Sequence, residues 1–235
     1  VIRKLLTGRP RREGGFRHRG HEIQRIETFS DAVFAFAITL LIVSLEVPKT
    51  FDELLTSIRG FVAFGICFTF LFIIWNEQHV FFRRYGMEDK TTLFLNAVLL
   101  FIVLFYVYPL KFLFSLLLGG NTGGAVRPIR EEQIPQLMII YSVGYIVIYV
   151  VFLLLYLHAF RRRGRLELTN LEVFDTRSRI WSHAIQIIIG ATSMLTALIL
   201  PARVGGLAGW VYPLIGPVLW IFYARRARRR WKIGR

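Results

Sequence analysis

The chain has 235 residues, is 54% hydrophobic with a mean hydropathy of +0.50, and yet carries a formal charge of +15. Apolar spans joined by charged loops reconcile those properties, whereas nucleic-acid recognition would need a basic face on a soluble fold, which the apolar runs leave little chain to build. The single cysteine, Cys67, excludes a disulfide framework or a thiolate metal site within one chain, and reads as a small packing residue.

Residues 1–24 are basic and lack an apolar core, so they are read as a mobile cytoplasmic segment and not as a secretory signal. A bilayer-crossing helix needs about 20 mostly apolar residues, and six stretches qualify. They run over residues 29–47, ending at Pro48; 54–82, whose last turns hold Trp75-Asn76-Glu77-Gln78-His79; 91–118, with Pro109 expected to kink or end the regular part; 134–160; 180–200; and 207–224, where Pro213 and Pro217 predict an irregular helix. The Gly- and Pro-containing stretch 119–135 reads as a flexible outer connector, and no strand is required anywhere. The expected fold is all-α: a polytopic membrane protein with a six-helix domain over 25–224 and a basic tail over 225–235.

Orientation follows from the basic residues. The N-terminal segment, the second-to-third loop, the fourth-to-fifth loop and the tail hold 24 lysines and arginines, against Lys49, Arg127, Arg130 and Arg203 in the other loops. That alternation places both termini in the cytoplasm, beside anionic lipid heads.

Ionisable and polar groups inside spans mark function or a paired network. With the spans antiparallel, Ser30, Asp31, Trp75, Asn76, His79 and Asn96 fall in one inner layer. Asp31 is read as a network member. Glu77 and His183 are read as headgroup-region groups meeting water and lipid. On the first helix, Phe29, Val33, Phe36, Leu40, Val43 and Val47 form an apolar stripe, with Thr39 and Glu46 on its shoulder and Ser30 and Asp31 pointing away. Ser142-Val143-Gly144-Tyr145 lacks the second glycine of a carbonyl ion filter and continues as an apolar run, so it reads as helix. No zinc motif, phosphate loop or nucleophile set supports an enzyme.

Arg25-x-x-x-Phe29-Ser30-Asp31 at the start of a first span, continued by Ala-Val-Phe-Ala-Phe-Ala-Ile-Thr-Leu-Leu-Ile-Val, resembles the signature of the transmembrane protein 175 family of potassium channels, in its prokaryotic six-span form. The resemblance is densest over residues 25–48, with support from Trp75, His79 and Asn96. It implies a homotetramer in the plasma membrane whose first helices line the pore and conduct potassium passively through apolar constrictions. Those constrictions fall at Phe36, Leu40 and Val43, the selectivity-linked threonine at Thr39, and an acidic outer mouth at Glu46. The motif network corresponds to Arg25, Phe29, Ser30, Asp31, Trp75, His79 and Asn96. Potassium is the permeant, and no cofactor or bound metal is expected. The phenylalanine at position 36 departs from the aliphatic residue usual in relatives. A proton-coupled transporter using Asp31 and His79 is the rival reading, and a non-transporting scaffold a third.

Overall fold

A computed structural model of the chain describes residues 12–13, 15–20, 24–43, 49–117 and 130–233. Among the described residues, six helices follow a hairpin of two-residue strands: β1 (Arg12–Glu13), β2 (Phe16–Arg17), α1 (Arg25–Val43), α2 (Phe51–Tyr85), α3 (Lys90–Leu117), α4 (Ile134–Arg161), α5 (Asn170–Ile199) and α6 (Ile215–Ile233). A 3-10 turn, Glu131–Gln133, precedes α4, and a longer 3-10 stretch, Ala202–Leu214, enters α6. Among the described residues, five helical segments are long and apolar enough to cross a membrane: Phe64–Tyr85, Lys90–Leu113, Ile134–Arg161, Asn170–Ile199 and Gly206–Arg230. The 19 residues of α1 are not among these; Arg25, Glu27 and Asp31 fall in its first two turns.

Periodicity explains how α1 is held. Glu27, Ser30, Phe34, Ala37 and Leu41 are buried, and their spacing of three and four residues makes one face. That face packs on α2 and α3, while α3 also packs on α4, and α4 on α5. Most of the core, including Phe81, Phe82, Leu99, Val103, Phe152, Leu155 and Tyr156, lies where α2, α3 and α4 meet; Cys67 is fully buried in it.

Several expectations shift. The fifth helix begins at Asn170, ten residues before the apolar run, because Thr169 caps it and exchanges bonds with Glu172 in a capping box. Arg177 and Arg179, assigned to the preceding loop, are therefore helical. Hydropathy hid these first turns because they bury polar groups, Glu172, Thr176 and Ser178. The third helix continues through Pro109 to Leu117, and the Tyr141 hydroxyl donates to the Pro109 carbonyl. The entry to α6 is irregular as expected, with Pro213 inside the 3-10 stretch. Residues 225–233, read as a tail, continue α6, since arginine, alanine and lysine are good helix formers.

The N-terminal segment, expected to be mobile and strand-free, packs in its described part. Phe16 is buried, with the Tyr85 ring edge-on at 5.6 Å and the Arg84 guanidinium 4.9 Å above its centroid. The Arg19 side chain pairs with buried Glu172 at 2.8 Å, and the Arg19 and Gly20 amides both donate to the Arg83 carbonyl at 3.2 Å. Gly86 ends α2 with φ +56, donating to the Phe82 carbonyl; a Cβ there would press on the Arg19 backbone at 3.0 Å. The segment thus straps the ends of α2 and α5 together. Residue 118 of the expected third span and residues 119–129 of the expected connector lie outside the described residues.

Candidate functional site at the root of the first helix

Because α1 and α3 begin, and α2 ends, on the same side of the bundle, their polar residues meet at one depth. Trp75 Nε1 donates to Asp31 Oδ1 at 2.7 Å. Asn96 Nδ2 donates to Ser30 Oγ at 3.0 Å, and Gln78 Nε2 donates to Asn96 Oδ1 at 2.7 Å. The Ser30 hydroxyl itself donates to the Ile26 carbonyl at 2.7 Å. Ser30, Gln78 and Asn96 are buried, so each amide and hydroxyl left unpaired would carry a desolvation cost. These bonds tie α1 to both of its neighbours.

Four of the expected inner-layer residues, Ser30, Asp31, Trp75 and Asn96, are joined directly. His79 joins by ring contact, stacked on Trp75 with centroids 5.4 Å apart. Asn76 is exposed on α2, and Arg25 on the first turn of α1. Gln78, not among the expected inner-layer residues, is the bridge to Asn96. Its helical spacing of three from Trp75 was the available signal, since two residues so placed share a face.

Glu77 and His183 require a correction. Neither simply meets water and lipid: Glu77 receives Arg179 Nη1 at 2.7 Å and the Tyr156 hydroxyl at 2.8 Å. His183 is 2% exposed, its Nε2 lies 3.3 Å from Glu77 Oε1 but off the line of a hydrogen bond, and its ring stacks on Phe152 at 5.5 Å. The physical reason is that Glu77 projects from the side of α2 facing α4 and α5, where a lone carboxylate needs a cation. A second clamp sits at the start of α3. Asp89 accepts from Thr92 Oγ1 at 2.8 Å, lies 2.9 Å from His158 Nε2 and pairs with Arg162 at 3.5 Å. Partial burial alone would raise the Asp89 pKa, but the bonds from Thr92 and His158 and the Arg162 charge outweigh it and hold the carboxyl below its usual range.

The other side of α1 is more open, although Val33 on it packs against the core. Phe29 is 62% exposed and Phe36 57%, Thr39 is exposed, and Val33 and Leu40 are half-buried. The Thr39 hydroxyl donates to the Ala35 carbonyl at 2.9 Å, which commits its proton and turns oxygen lone pairs outward. The Val43 side chain, Glu46 and Val47 lie outside the described residues. The Ser142–Tyr145 run is regular helix in α4; Ser142 bonds Ser193 at 3.2 Å and Tyr145 bonds Gln186 at 3.0 Å, so its polar groups serve packing between helices.

Comparison with known proteins gives a consistent picture. Residues 25–106 match the family model described as endosomal/lysosomal potassium channel TMEM175. A potassium channel of Marivirga tractuosa is 39% identical over 219 residues, spanning 88% of this chain and 89% of that protein. A potassium channel of Streptomyces collinus is 34% identical over 95 residues, 38% of this chain and 46% of its own length. Among solved structures, a variant of the potassium channel MtTMEM175, crystallised with a nanobody–MBP fusion, aligns with a TM-score of 0.80 at 36% identity, covering 92% of this chain and 99% of that one. A TMEM175 homologue from Chamaesiphon minutus shares the fold, with a TM-score of 0.56 at 22% identity over 86% of this chain and 96% of that one.

Proposed function

The chain belongs to the TMEM175 family of potassium channels, ion-conducting proteins and not enzymes, and from that footing we propose that it is a passive, potassium-preferring cation channel formed by four copies around their first helices. The observation that carries this is the division of α1: one face is buried on α2 and α3, while Phe29, Phe36 and Thr39 stand exposed on the remaining surface. Four such helices around an axis would turn Phe36, Leu40 and Val43 into successive apolar rings, which resist ion passage by dewetting. Thr39, its proton held by Ala35, would offer acceptor oxygens between rings to a dehydrating cation. Glu46 at the outer mouth would raise local cation concentration. Phenyl rings at position 36 can close the axis or turn their faces to a cation. The network of Ser30, Asp31, Trp75, Gln78 and Asn96 would set the tilt of α1, with Arg25 and Asp31 serving assembly and not touching ions. Both termini would face the cytoplasm of a prokaryotic plasma membrane, with basic ends against anionic lipid and without a cofactor.

Potassium flux into liposomes containing purified protein tests the pore. Phe36→Ala should raise flux by widening the constriction; unchanged flux for alanine at Phe36, Leu40 and Val43 alike would rule it out. The contact chain His79–Trp75–Asp31 favours one second reading, a proton-coupled transporter in which protonation of His79 or Asp31 moves α1. Proton movement in fixed ratio to potassium would select it.

A further inference from the structure

At the basic end of the bundle, where α5 packs between α4 and α6, three arginines sit over aromatic rings. Arg163 and Arg177 both sit over Phe160, with guanidinium carbons 4.9 and 5.2 Å from the ring centroid. Arg226 of α6 sits over Phe174 of α5 at 4.7 Å and over Phe222 at 5.3 Å. The ring contacts hold Arg177 and Arg226 in place, and a guanidinium can grip a phosphate through two bonds, while Arg163 Nη1 also donates to the Phe160 carbonyl at 3.3 Å. Arg226 also feels the like charges of Arg229 and Arg177, so the cluster holds concentrated positive charge. The nearby carboxylate, Asp175, is engaged by Arg230 through two bonds of 2.8 and 2.9 Å, which also lock α6 against α5.

Below the cluster runs a surface of different character. Trp181, Ile188 and Leu195 follow Arg177 at helical spacings of four and seven, and are 59%, 62% and 52% exposed. A tryptophan at this position marks headgroup depth in a membrane protein. From Arg177 to Ile188 is about 16 Å of helix, the thickness of one leaflet of a roughly 30 Å hydrocarbon core.

We propose that Arg163, Arg177 and Arg226 form a binding site for an anionic phospholipid, its phosphate on the ring-held guanidiniums and its acyl chain along Trp181 and Ile188. The site lies on α4–α6 and away from α1, so it stands whether or not the pore reading does. The occupant is a lipid and not a soluble polyanion because the charge sits directly above an apolar track one leaflet deep.

Native mass spectrometry of the purified full chain, given equal phosphatidylglycerol and phosphatidylcholine with matched acyl chains, tests it. The wild type should retain phosphatidylglycerol preferentially. Arg177→Gln with Arg226→Gln should lower that retention about tenfold, since a charge-assisted bond lost is worth about a decade. Arg225→Gln with Arg228→Gln, also exposed on α6 but outside the ring-held set, should retain the lipid. Equal retention of both lipids by the wild type, or undiminished retention by the first double variant, overturns the proposal. So does displacement of the lipid by millimolar sn-glycerol 3-phosphate, which would mark a general anion site. If the double variant fails to fold, Phe174→Leu decides: it keeps every charge but removes a ring face, and unaltered retention there is equally fatal.

Discussion

Asn96 both donates and accepts inside the bundle, to Ser30 on α1 and from Gln78 on α2, so its loss exposes two buried groups at once. Asn96→Leu should lower thermal stability in detergent by roughly 1–3 kcal/mol, above the ~0.6 kcal/mol typical of one membrane hydrogen bond. Gln78→Leu should show most of the same loss, and the double variant much less than the sum, because the two share one bond. Gly144 shows a different constraint at this scale. A Cβ there would collide with the Tyr106 ring, which cannot swing away while its hydroxyl donates to the Tyr141 carbonyl at 2.8 Å. Gly144→Ala should cost about 1–3 kcal/mol by overpacking, measured by the same thermal scan, and Tyr106→Leu should recover part of it. A glycine in an apolar helix is visible in the sequence; the ring that demands it, 38 residues away on another helix, is not.

Helix α2 carries both polar systems, Trp75 and Gln78 toward α1 and α3, Glu77 toward α4 and α5. The Glu77–Arg179 pair is mostly buried, and removing one charge leaves the other stranded. Arg179→Leu should therefore destabilise by about 3–5 kcal/mol, while the combined Glu77→Leu and Arg179→Leu variant should be less affected than Arg179→Leu alone; a melting series in one detergent compares them. Asp89, at the start of α3, provides a pH test. Its carboxyl is held below the usual range in the folded protein, so it adds stability above the unfolded-state pKa of about 3.9, and that contribution is lost as pH falls through the folded pKa. Asp89→Asn should be less stable than the wild type at neutral pH, and the gap should close under strong acid. A constant gap across the titration would exclude the charged clamp. The early start of α5 belongs to this scale too: the capping pair Thr169 and Glu172 is visible in the sequence, but hydropathy marks a helix only where apolar residues become dense.

The six described helices leave an exposed surface on α1 at Phe29, Phe36 and Thr39. If four copies close around that surface, Asp31→Ala, which frees the Trp75 indole and loosens the root of α1, should reduce tetramer recovery in size-exclusion chromatography with light scattering. Full assembly with altered ion preference would instead place Asp31 on the ion path. The helical class and the positions of the described helices were largely legible from the chain, because apolar periodicity is a local consequence of which solvent a residue meets. So was the shared depth of Ser30, Asp31, Trp75 and Asn96, since antiparallel spans bring like ends together. Which side chains then bond was settled by tertiary packing alone. Arg179 stands 102 residues from Glu77, and the arginines of α4–α6 find their rings across three helices. Periodicity tells a residue's face; only the fold tells what stands opposite, because hydrogen bonds and ring stacks act over a few ångströms, and the distances along the chain that separate these partners leave no mark in either local pattern.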